Sequence, residues 1–366
     1  MKLNYYILSL CIITSCSTTT KNELKPLEVI KIPEGKKIKL SKIIKSFDYV
    51  FLSDKEIVGN VFNLKVDNNE YYIHDNISKS ILKYDSIGDL MYKIHRVGKG
   101  PGEYSMISDF LINDGKVEIL NIGNHKKISF DSNGEYINLT NNNSAGWRHY
   151  YLNNNVLLSY NMPGGMSKES YYLYLWDNQI SNIKQKKLPF LPYKDKMLPG
   201  NLYPFSDYEN TINLCADFSN VVYSINQKKE ITPKYQLNFQ YYKWPTEEVY
   251  KNIYNKDIYS WSKGIEQYVR FLRFMESERF CYLGFYVNVD KKDFFYNKDT
   301  KTSFCVNEFE DDIGLGSNTF EIVGVDKGSW YALLRVSQMD NIDDLKNKGY
   351  PISEDSEFII LKFKLV

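Results

Sequence analysis

Residues 146–151, with the sequence Gly-Trp-Arg-His-Tyr-Tyr, contain the densest group of side chains able to contact a ligand. The rings of Trp147 and Tyr150 could stack on a sugar, while Arg148 and His149 could bind hydroxyl or carboxylate groups. The aromatic side chains could instead pack between structural units, with Arg148 exposed to water. We therefore retain Trp147, Arg148, His149 and Tyr150 as candidate ligand-binding residues, with packing as the alternative.

A second candidate is the basic loop that contains Gly98-Lys99-Gly100-Pro101-Gly102-Glu103-Tyr104. Successive amides in such a loop can form a concave nest that binds an anion, and Arg96 and Lys99 would add positive charge. Glu103 would oppose an anion, and it could pair with Arg96 or Lys99. The loop is then a structural turn, which is the alternative interpretation.

Arg270 and Arg273 form a third candidate, with Glu276 and Glu278 close by in the sequence. They could line a channel or lie on the charged edge of a strand. Paired or solvated charges are the common outcome for such residues. Both arginines are kept as candidate ligand contacts.

The sequence lacks the motifs of the common catalytic sites. It contains no Gly-x-Ser-x-Gly, no His-Glu-x-x-His and no phosphate-binding loop. Four histidines and the absence of a Cys-x-x-Cys pair argue against a zinc or redox site, and the acidic run 308–312 is interpreted as a solvated turn. We predict no catalytic residue, metal or cofactor, and a net charge of +1 argues against nucleic acid as a partner.

The N-terminus has the features of an export signal followed by a lipid anchor. A basic start precedes the apolar run Tyr5 to Ile13, which is too short to span a bilayer. The run ends in Ile13-Thr14-Ser15-Cys16, which resembles a bacterial lipobox with Cys16 as the lipidated residue. We predict a signal peptide over 1–15, a tether over 16–33, and attachment of the chain to a membrane of the cell envelope, with the outer membrane favoured.

The rest of the chain is predicted to consist of short β-strands. Its 31 Tyr and 20 Phe suit half-buried sheet positions. Two turns of the form Asp-Ser-x-Gly-acid, at Asp85 and Asp131, are separated by about the length of a propeller blade, ~40–50 residues. Later units follow at 150–183, 201–239, 270–306, and 320–334 with 358–365, and two insertions, 245–268 and 340–348, have helical spacing.

Strands at the two ends of the chain are predicted to close the structure. Residues 47–52 could pair with the C-terminal strand 357–365, because a propeller leaves exposed edges unless its ends share a blade. Such pairing would bring the tether close to the C-terminus.

Cys215, Cys281 and Cys305 are interpreted as buried thiols, and a disulfide between Cys281 and Cys305 is the alternative.

With these features the chain resembles six-bladed β-propeller lipoproteins of Gram-negative gut anaerobes, which are similar in shape to NHL-repeat propellers. The resemblance is carried by the loop 98–104, by the Tyr84-Asp85 strand with its Gly88 turn, and by the C-terminal strand of alternating Phe and Lys. It implies an all-β, six-bladed propeller over 34–366 with small helical insertions, located in the cell envelope, and it implies no catalytic residue.

The expected function is therefore binding or scaffolding, with a glycan or an envelope protein as partner. The alternative is a propeller lyase or hydrolase that acts on a saccharide or peptide derivative. Such an enzyme would need a metal or paired acid and base groups at the mouth of the channel.

Overall fold

The structure is a computed structural model that describes residues 27–144, 146–161, 171–177, 180–190, 201–246, 248–249, 252, 263–353 and 355–366. The strands of these residues form six sheets of four or five strands, arranged as the blades of a β-propeller. The predicted fold class is confirmed. Alternating apolar residues form one core between each pair of neighbouring blades rather than a single central core.

Three strands precede the first complete blade: β1 (Glu28–Ile32), β2 (Gly35–Lys39) and β3 (Ile44–Phe51). Blades 1 to 3 are four-stranded antiparallel sheets whose strands follow chain order. Blade 1 comprises β4 (Val61–Asp67), β5 (Glu70–Asp75), β6 (Ser80–Tyr84) and β7 (Leu90–Ile94). Blade 2 comprises β8 (Asp109–Asn113), β9 (Lys116–Asn121), β10 (Lys126–Phe130) and β11 (Tyr136–Asn141). Blade 3 comprises β12 (Arg148–Asn153), β13 (Val156–Tyr160), β14 (Tyr171–Asp177) and β15 (Ile183–Pro189).

Blades 4 to 6 are completed by the N-terminal strands. Blade 4 comprises β16 (Phe205–Tyr208), β17 (Thr211–Cys215), β18 (Val221–Asn226) and β19 (Ile231–Phe239), with β1 outside β19. Blade 5 comprises β20 (Arg270–Glu276), β21 (Phe280–Val287), β22 (Asp290–Asn297) and β23 (Thr302–Glu310), with β2 outside β23. Blade 6 comprises β24 (Glu321–Asp326), β25 (Ser329–Arg335), β26 (Phe358–Leu365) and β3.

The ring closes through the two ends of the chain, as predicted. Strand β26 pairs with β3 in antiparallel register, with Phe363 opposite Phe47 and Ile360 opposite Val50. Blade 6 therefore contains both the last strand of the chain and one of the first.

The predicted tether boundary at residue 33 is wrong. Strand β1 pairs in parallel with β19, and Ile30 and Ile32 are buried on blade 4. Because β1 and β2 run along blades 4 and 5, the described chain begins on blade 4, whereas the C-terminus lies on blade 6. The start of β1 and the C-terminus therefore lie on different blades, and residues 1–26, with the predicted signal peptide and Cys16, lie outside the described part.

The two repeated turns form equivalent junctions between blades. The Asp85 carboxylate accepts hydrogen bonds from the amides of Ile87 and Asp89, and Asp131 is used in the same way one blade later. Gly88 (φ 94°) packs on the Phe51 carbonyl of blade 6, and Gly134 (φ 81°) packs on a tyrosine ring of blade 1. The internal repeat is thus a repeated contact with the preceding blade.

In the described part of the chain, helical structure is confined to short segments between strands. The insertion predicted at 340–348 contains helix α1 (Ile342–Asn347). In the other insertion, the Val249 amide donates to Thr246 Oγ1, but most of residues 247–262 lie outside the described part. Short 3-10 turns occur at Leu40–Lys42, Ile122–Asn124 and Val336–Gln338. Within the described residues, no helix has the length and apolar character needed to cross a membrane.

Candidate ligand-binding channel

The first strand of each blade faces the propeller axis, and together these six strands line a cavity of about 380 Å³. Because each is the edge strand of its sheet, half of its backbone N–H and C=O groups point away from its own blade. The lining residues include apolar and charged types. The apolar ones are Leu64, Val66, Leu111, Ile112, Phe205, Phe274, Val323 and Val325, and the charged ones are Lys65, Asp67, Asp109, Arg148, Asp207, Arg273 and Asp326.

Arg148, at the start of β12, is buried at the basic end of the cavity. Its Nη1 donates to the carbonyl oxygens of Trp147 (2.7 Å) and Ser108 (3.0 Å), and its Nε donates to Leu202 O (2.8 Å). The guanidinium also lies 5.5 Å from the centre of the Phe62 ring. Arg148 is only 7% exposed. It therefore joins blades 1 to 4 at one point on the channel wall.

Arg273 of β20, in blade 5, reaches the same end of the cavity from the other side of blade 4. Its guanidinium stacks 3.3 Å from the ring centre of Tyr203, and its Nη1 donates to Glu321 Oε1 (2.8 Å) and Ile322 O (3.0 Å). Tyr203 also donates across the channel to Phe62 O at 3.2 Å. Since Leu202 and Tyr203 are consecutive, the two arginines converge on one segment of chain.

Lys65 and Asp109 connect blades 1 and 2 beside these arginines. Lys65 Nζ donates to Phe110 O (2.5 Å) and lies 4.0 Å from Asp109 Oδ1. Burial would raise the pKa of Asp109, but Lys65, His149 and Arg148 lower it to about 2, so the carboxylate stays ionised. Burial lowers the pKa of Lys65, and Asp109 offsets part of this effect.

The other end of the cavity is acidic. Asp67 and Asp326 are the last residues of their inner strands, and Asp207 is the penultimate residue of its strand. Burial, and then the charge of Asp326, raise the pKa of Asp67, while burial and Asp207 raise the pKa of Tyr150. Asp67 and Asp326 are half-buried and Asp207 is exposed, so this end is accessible to water.

His149 lies in an arrangement that resembles a hydrolase triad. His149 Nε2 lies 3.0 Å from Ser144 Oγ, and His149 Nδ1 lies 3.7 Å from Asp109 Oδ2. Ser144 is 0% exposed, however, and its Oγ already accepts from the Gly146 amide and contacts Ser159 Oγ at 2.5 Å. Burial lowers the pKa of His149, which favours the neutral ring. A substrate in the channel therefore has no access to Ser144. The contacts among Ser144, His149 and Asp109 instead join blades 2 and 3.

The remaining residues of the 146–151 candidate are divided between core and channel. Trp147 packs on the core between blades 3 and 4, so its ring lies away from the cavity. Tyr150 lines the cavity, and its ring centre lies 6.1 Å from that of Phe205. The side chains of Arg148 and Tyr150 therefore reach the channel, whereas that of His149 is fully buried beside Ser144 and Asp109.

The basic loop lies outside the channel. Arg96 pairs with Glu135 at 3.6 Å, and Lys99 is exposed. The Gly100 amide donates to Glu103 Oε2 (2.7 Å), and the amides of Gly98 and Glu103 donate to carbonyl oxygens of the same loop. These amides are already used within the loop, which favours the structural interpretation.

Arg270 does not join Arg273 in the cavity. It is half-buried, and its Nη2 donates to the carbonyl oxygen of Asn288. A bulge between the two residues separates their directions along β20.

Sequence reasoning missed Lys65, Asp67, Asp207 and Asp326 as site residues. One signal could have found them: each lies in the first strand of a repeated unit, the strand that faces the axis of a propeller.

The three cysteines of the described chain are free and buried, and burial raises the pKa of Cys281 to about 12 and of Cys305 to about 11.

Comparison with known sequences identifies the family. The profile described as a domain of unknown function, DUF4934, matches residues 27–363. The chain belongs to the DUF4934 family. No protein with a curated function matches it.

Comparison with solved structures gives proteins with the same fold. One is a Bacteroides fragilis protein that is named, provisionally, as an exported protein. Its TM-score is 0.74 at 17% identity, and the match covers 92% of this chain and 99% of that chain. Another is a DUF4221 family member from Bacteroides vulgatus, with a TM-score of 0.53 at 12% identity, over 88% of this chain and 97% of that chain. At these identities the likeness concerns the fold.

Proposed function

We propose that this protein is a lipid-anchored binding module of the bacterial cell envelope that holds a small ligand in its central channel. The observation that carries the proposal is the cavity of about 380 Å³ with the buried Arg148 and Arg273 in its wall. Ligand pockets commonly measure about 300–1,000 Å³ and combine apolar walls with a few polar groups. This cavity has both properties.

The proposed location is supported by the N-terminal sequence and by the neighbours in structure. The lipobox-like segment ends at Cys16, and residues 17–27 are long enough to separate the folded part from a membrane. The Bacteroides fragilis neighbour is named as an exported protein, on a provisional basis. The outer membrane is the proposed site of attachment, with the periplasmic face favoured because no acidic run follows Cys16.

The ligand is proposed to be a small molecule, or a small part of a glycan or of an envelope protein that enters the channel. Tyr150 and Phe205 supply aromatic surface in the cavity, whereas the Trp147 ring is used in the core. The lyase or hydrolase alternative would rely on Ser144, His149 and Asp109, and the burial of Ser144 favours binding over catalysis.

A thermal-shift screen of the soluble chain from Ser17 onwards tests the binding function. A compound that binds only the folded state stabilises it by about 2.7 kcal/mol at a hundredfold excess over Kd. The control is Gly324→Phe, because Gly324 lines the cavity and a Cβ there meets only Val66 at 3.9 Å. Compounds that stabilise the wild type and not this variant support the channel as the site, whereas a screen without any such compound contradicts it.

Replacement of Cys16 tests the anchor. We expect Cys16→Ala to move the protein from the membrane to the soluble fraction, as measured by fractionation and by loss of labelling with a fatty-acid analogue. Cys11→Ala is the matched control and should leave the protein in the membrane. Unchanged membrane attachment of the Cys16 variant would contradict lipidation at this position.

A further inference from the structure

The two buried arginines of the channel have hydrogen-bond donors that the protein does not use. Among the described residues, Arg148 forms no hydrogen bond through Nη2, and Arg273 forms none through Nε or Nη2. Arg148 and Arg273 are 7% and 8% exposed, and both line the cavity. These donor atoms are not among the buried atoms that lack a partner, so they are open to the cavity, and a guanidinium suits a carboxylate in a paired geometry. This end of the channel is therefore fitted to an anionic group.

The acidic end has the opposite requirement. Asp326 Oδ2 is buried with no hydrogen-bond partner among the described residues, and Asp67 lies close enough for the charge of Asp326 to affect it. Glu70 adds negative charge and Lys327 opposes it, but Lys327 Nζ donates to Asn68 Oδ1 at 3.0 Å. No group of three potential metal ligands is placed to hold an ion in the described part of the chain. These carboxylates are therefore fitted to an organic cation with several donors, such as an ammonium group.

The wall between the two ends suits an extended chain. Val66, Ile112, Val323 and Val325 line the cavity and are only partly buried, so they give it an apolar surface, and the edges of the inner strands present backbone donors and acceptors. An edge strand can bind a peptide through main-chain hydrogen bonds. Strand β4, with seven residues, spans about 20 Å from its first to its last residue. The arginine side chains occupy part of this length. The remaining length of the channel fits a peptide of three or four extended residues.

We propose that the channel binds a short peptide, with its terminal carboxylate at Arg148 and Arg273 and its terminal ammonium at Asp67, Asp207 and Asp326. This inference rests on the proposed binding function and defines its ligand class. A small molecule with the same separation of charges is recognised in the same way. The accessible acidic end admits the peptide with its carboxylate leading, and the ammonium is then held closest to water.

Isothermal titration of the soluble full chain with tetra-alanine and with Ala-Leu-Leu-Ala tests this inference. We expect binding of at least one free peptide, a loss of tenfold or more in affinity for its C-terminal amide, and a similar loss for its N-acetyl form. Each modification removes one terminal charge and leaves the remaining peptide intact. Equal affinity for all three forms overturns the proposal.

Substitutions in the channel assign each end. Arg273→Gln should remove the preference for the free carboxylate, and Asp326→Asn should weaken the preference for the free ammonium. Arg270→Gln is the matched control, because Arg270 lies on the same strand but outside the cavity lining. Equal effects of Arg270→Gln and Arg273→Gln overturn the assignment.

The outcomes for the two proposals can be separated. If neither peptide binds while the thermal screen yields channel ligands of another class, the peptide inference fails and the binding function stands. If no compound depends on the channel, the proposed function itself fails. Melting temperatures of all variants identify loss of folding, and Asp326→Asn supplies a test that leaves the inter-blade contacts of Arg273 in place.

Discussion

At the scale of single residues, Asp217 shows how a buried carboxyl makes stability depend on pH. The Tyr160 hydroxyl donates to its Oδ2 (2.7 Å) and the Asn201 amide to its Oδ1 (2.8 Å). Burial nevertheless raises the pKa of Asp217 to about 6, above its ordinary value of 3.8. The folded state therefore favours the protonated form, and the stability that Asp217 contributes below pH 4 is lost as pH rises through about 6.

We predict that Asp217→Asn removes this loss. The free energy of unfolding of the variant relative to wild type should increase between pH 4 and pH 7. The increase should reach about 3 kcal/mol, which corresponds to a rise in pKa of about two pH units. His74, whose pKa burial lowers to about 4, affects both proteins in the opposite direction and cancels in the difference. Denaturant titrations at several pH values measure it, with the exposed Asp299→Asn as control; a difference independent of pH would contradict the prediction.

Gly88 provides a test of the repeated blade junction. Its φ is 94°, and a Cβ would lie 2.0 Å from the Phe51 carbonyl oxygen, so we predict that Gly88→Ala lowers the free energy of unfolding by about 2–4 kcal/mol. Gly115→Ala is the matched control: its φ is 73°, but its nearest neighbour is Ser132 at 3.8 Å. The control should cost about 1–2 kcal/mol from the backbone angle alone. Equal losses in urea titrations would exclude a contribution from the blade contact.

Residue types revealed part of the candidate site, and the ring geometry supplied the rest. Arg148, His149, Tyr150 and Arg273 were recognisable as groups that could bind a ligand. Asp67 and Asp326 were not, because each lies in an ordinary strand-ending position and they meet only when blades 1 and 6 are neighbours. Trp147 could not be assigned to core or channel, since that depends on which face of the chain turns toward blade 4.

At the scale of elements, β1 is a strand that the sequence did not reveal. Its five residues alternate, but they follow a polar segment and pair with β19, about two hundred residues later. The blades were more legible because their hairpins are local and carry turn signals such as Asp85 to Gly88. Local pairing could thus be predicted, whereas the added outer strands of blades 4 and 5 could not.

We predict that β1 contributes to the stability of blade 4. Ile30 and Ile32 are 1% and 0% exposed, so alanine at either position should cost about 2–5 kcal/mol. Val29→Ala on the same strand is the control and should have little effect, because Val29 is 49% exposed. Chemical denaturation measures the three variants, and hydrogen exchange in β19 should increase for the two isoleucine variants only. Equal behaviour of all three would show that β1 does not stabilise the blade.

At the scale of the whole molecule, β26 holds the ring closed between β25 and β3. Ile359, Ile360 and Leu361 on this strand are 1% exposed or less. We predict that a chain ending at residue 357 loses its cooperative unfolding transition and becomes sensitive to proteases in blades 1 and 6. Removal of Val366 alone, which is 52% exposed, should leave the transition in place. A stable, protease-resistant protein without β26 would contradict closure by this strand.

The order in which the chain is made gives this closure a further consequence. The first three strands, residues 28–51, have their partners at 231–239, 302–310 and 358–365. A chain that emerges from the ribosome N-terminus first therefore carries β1 and β2 without partners until residues 231–239 and 302–310 are made, and β3 until its last residues are synthesised. For the exported protein proposed above, the ring can therefore close only after residues 358–365 have crossed the membrane, whereas blades 1 to 3, whose strands are sequential, need no late strand.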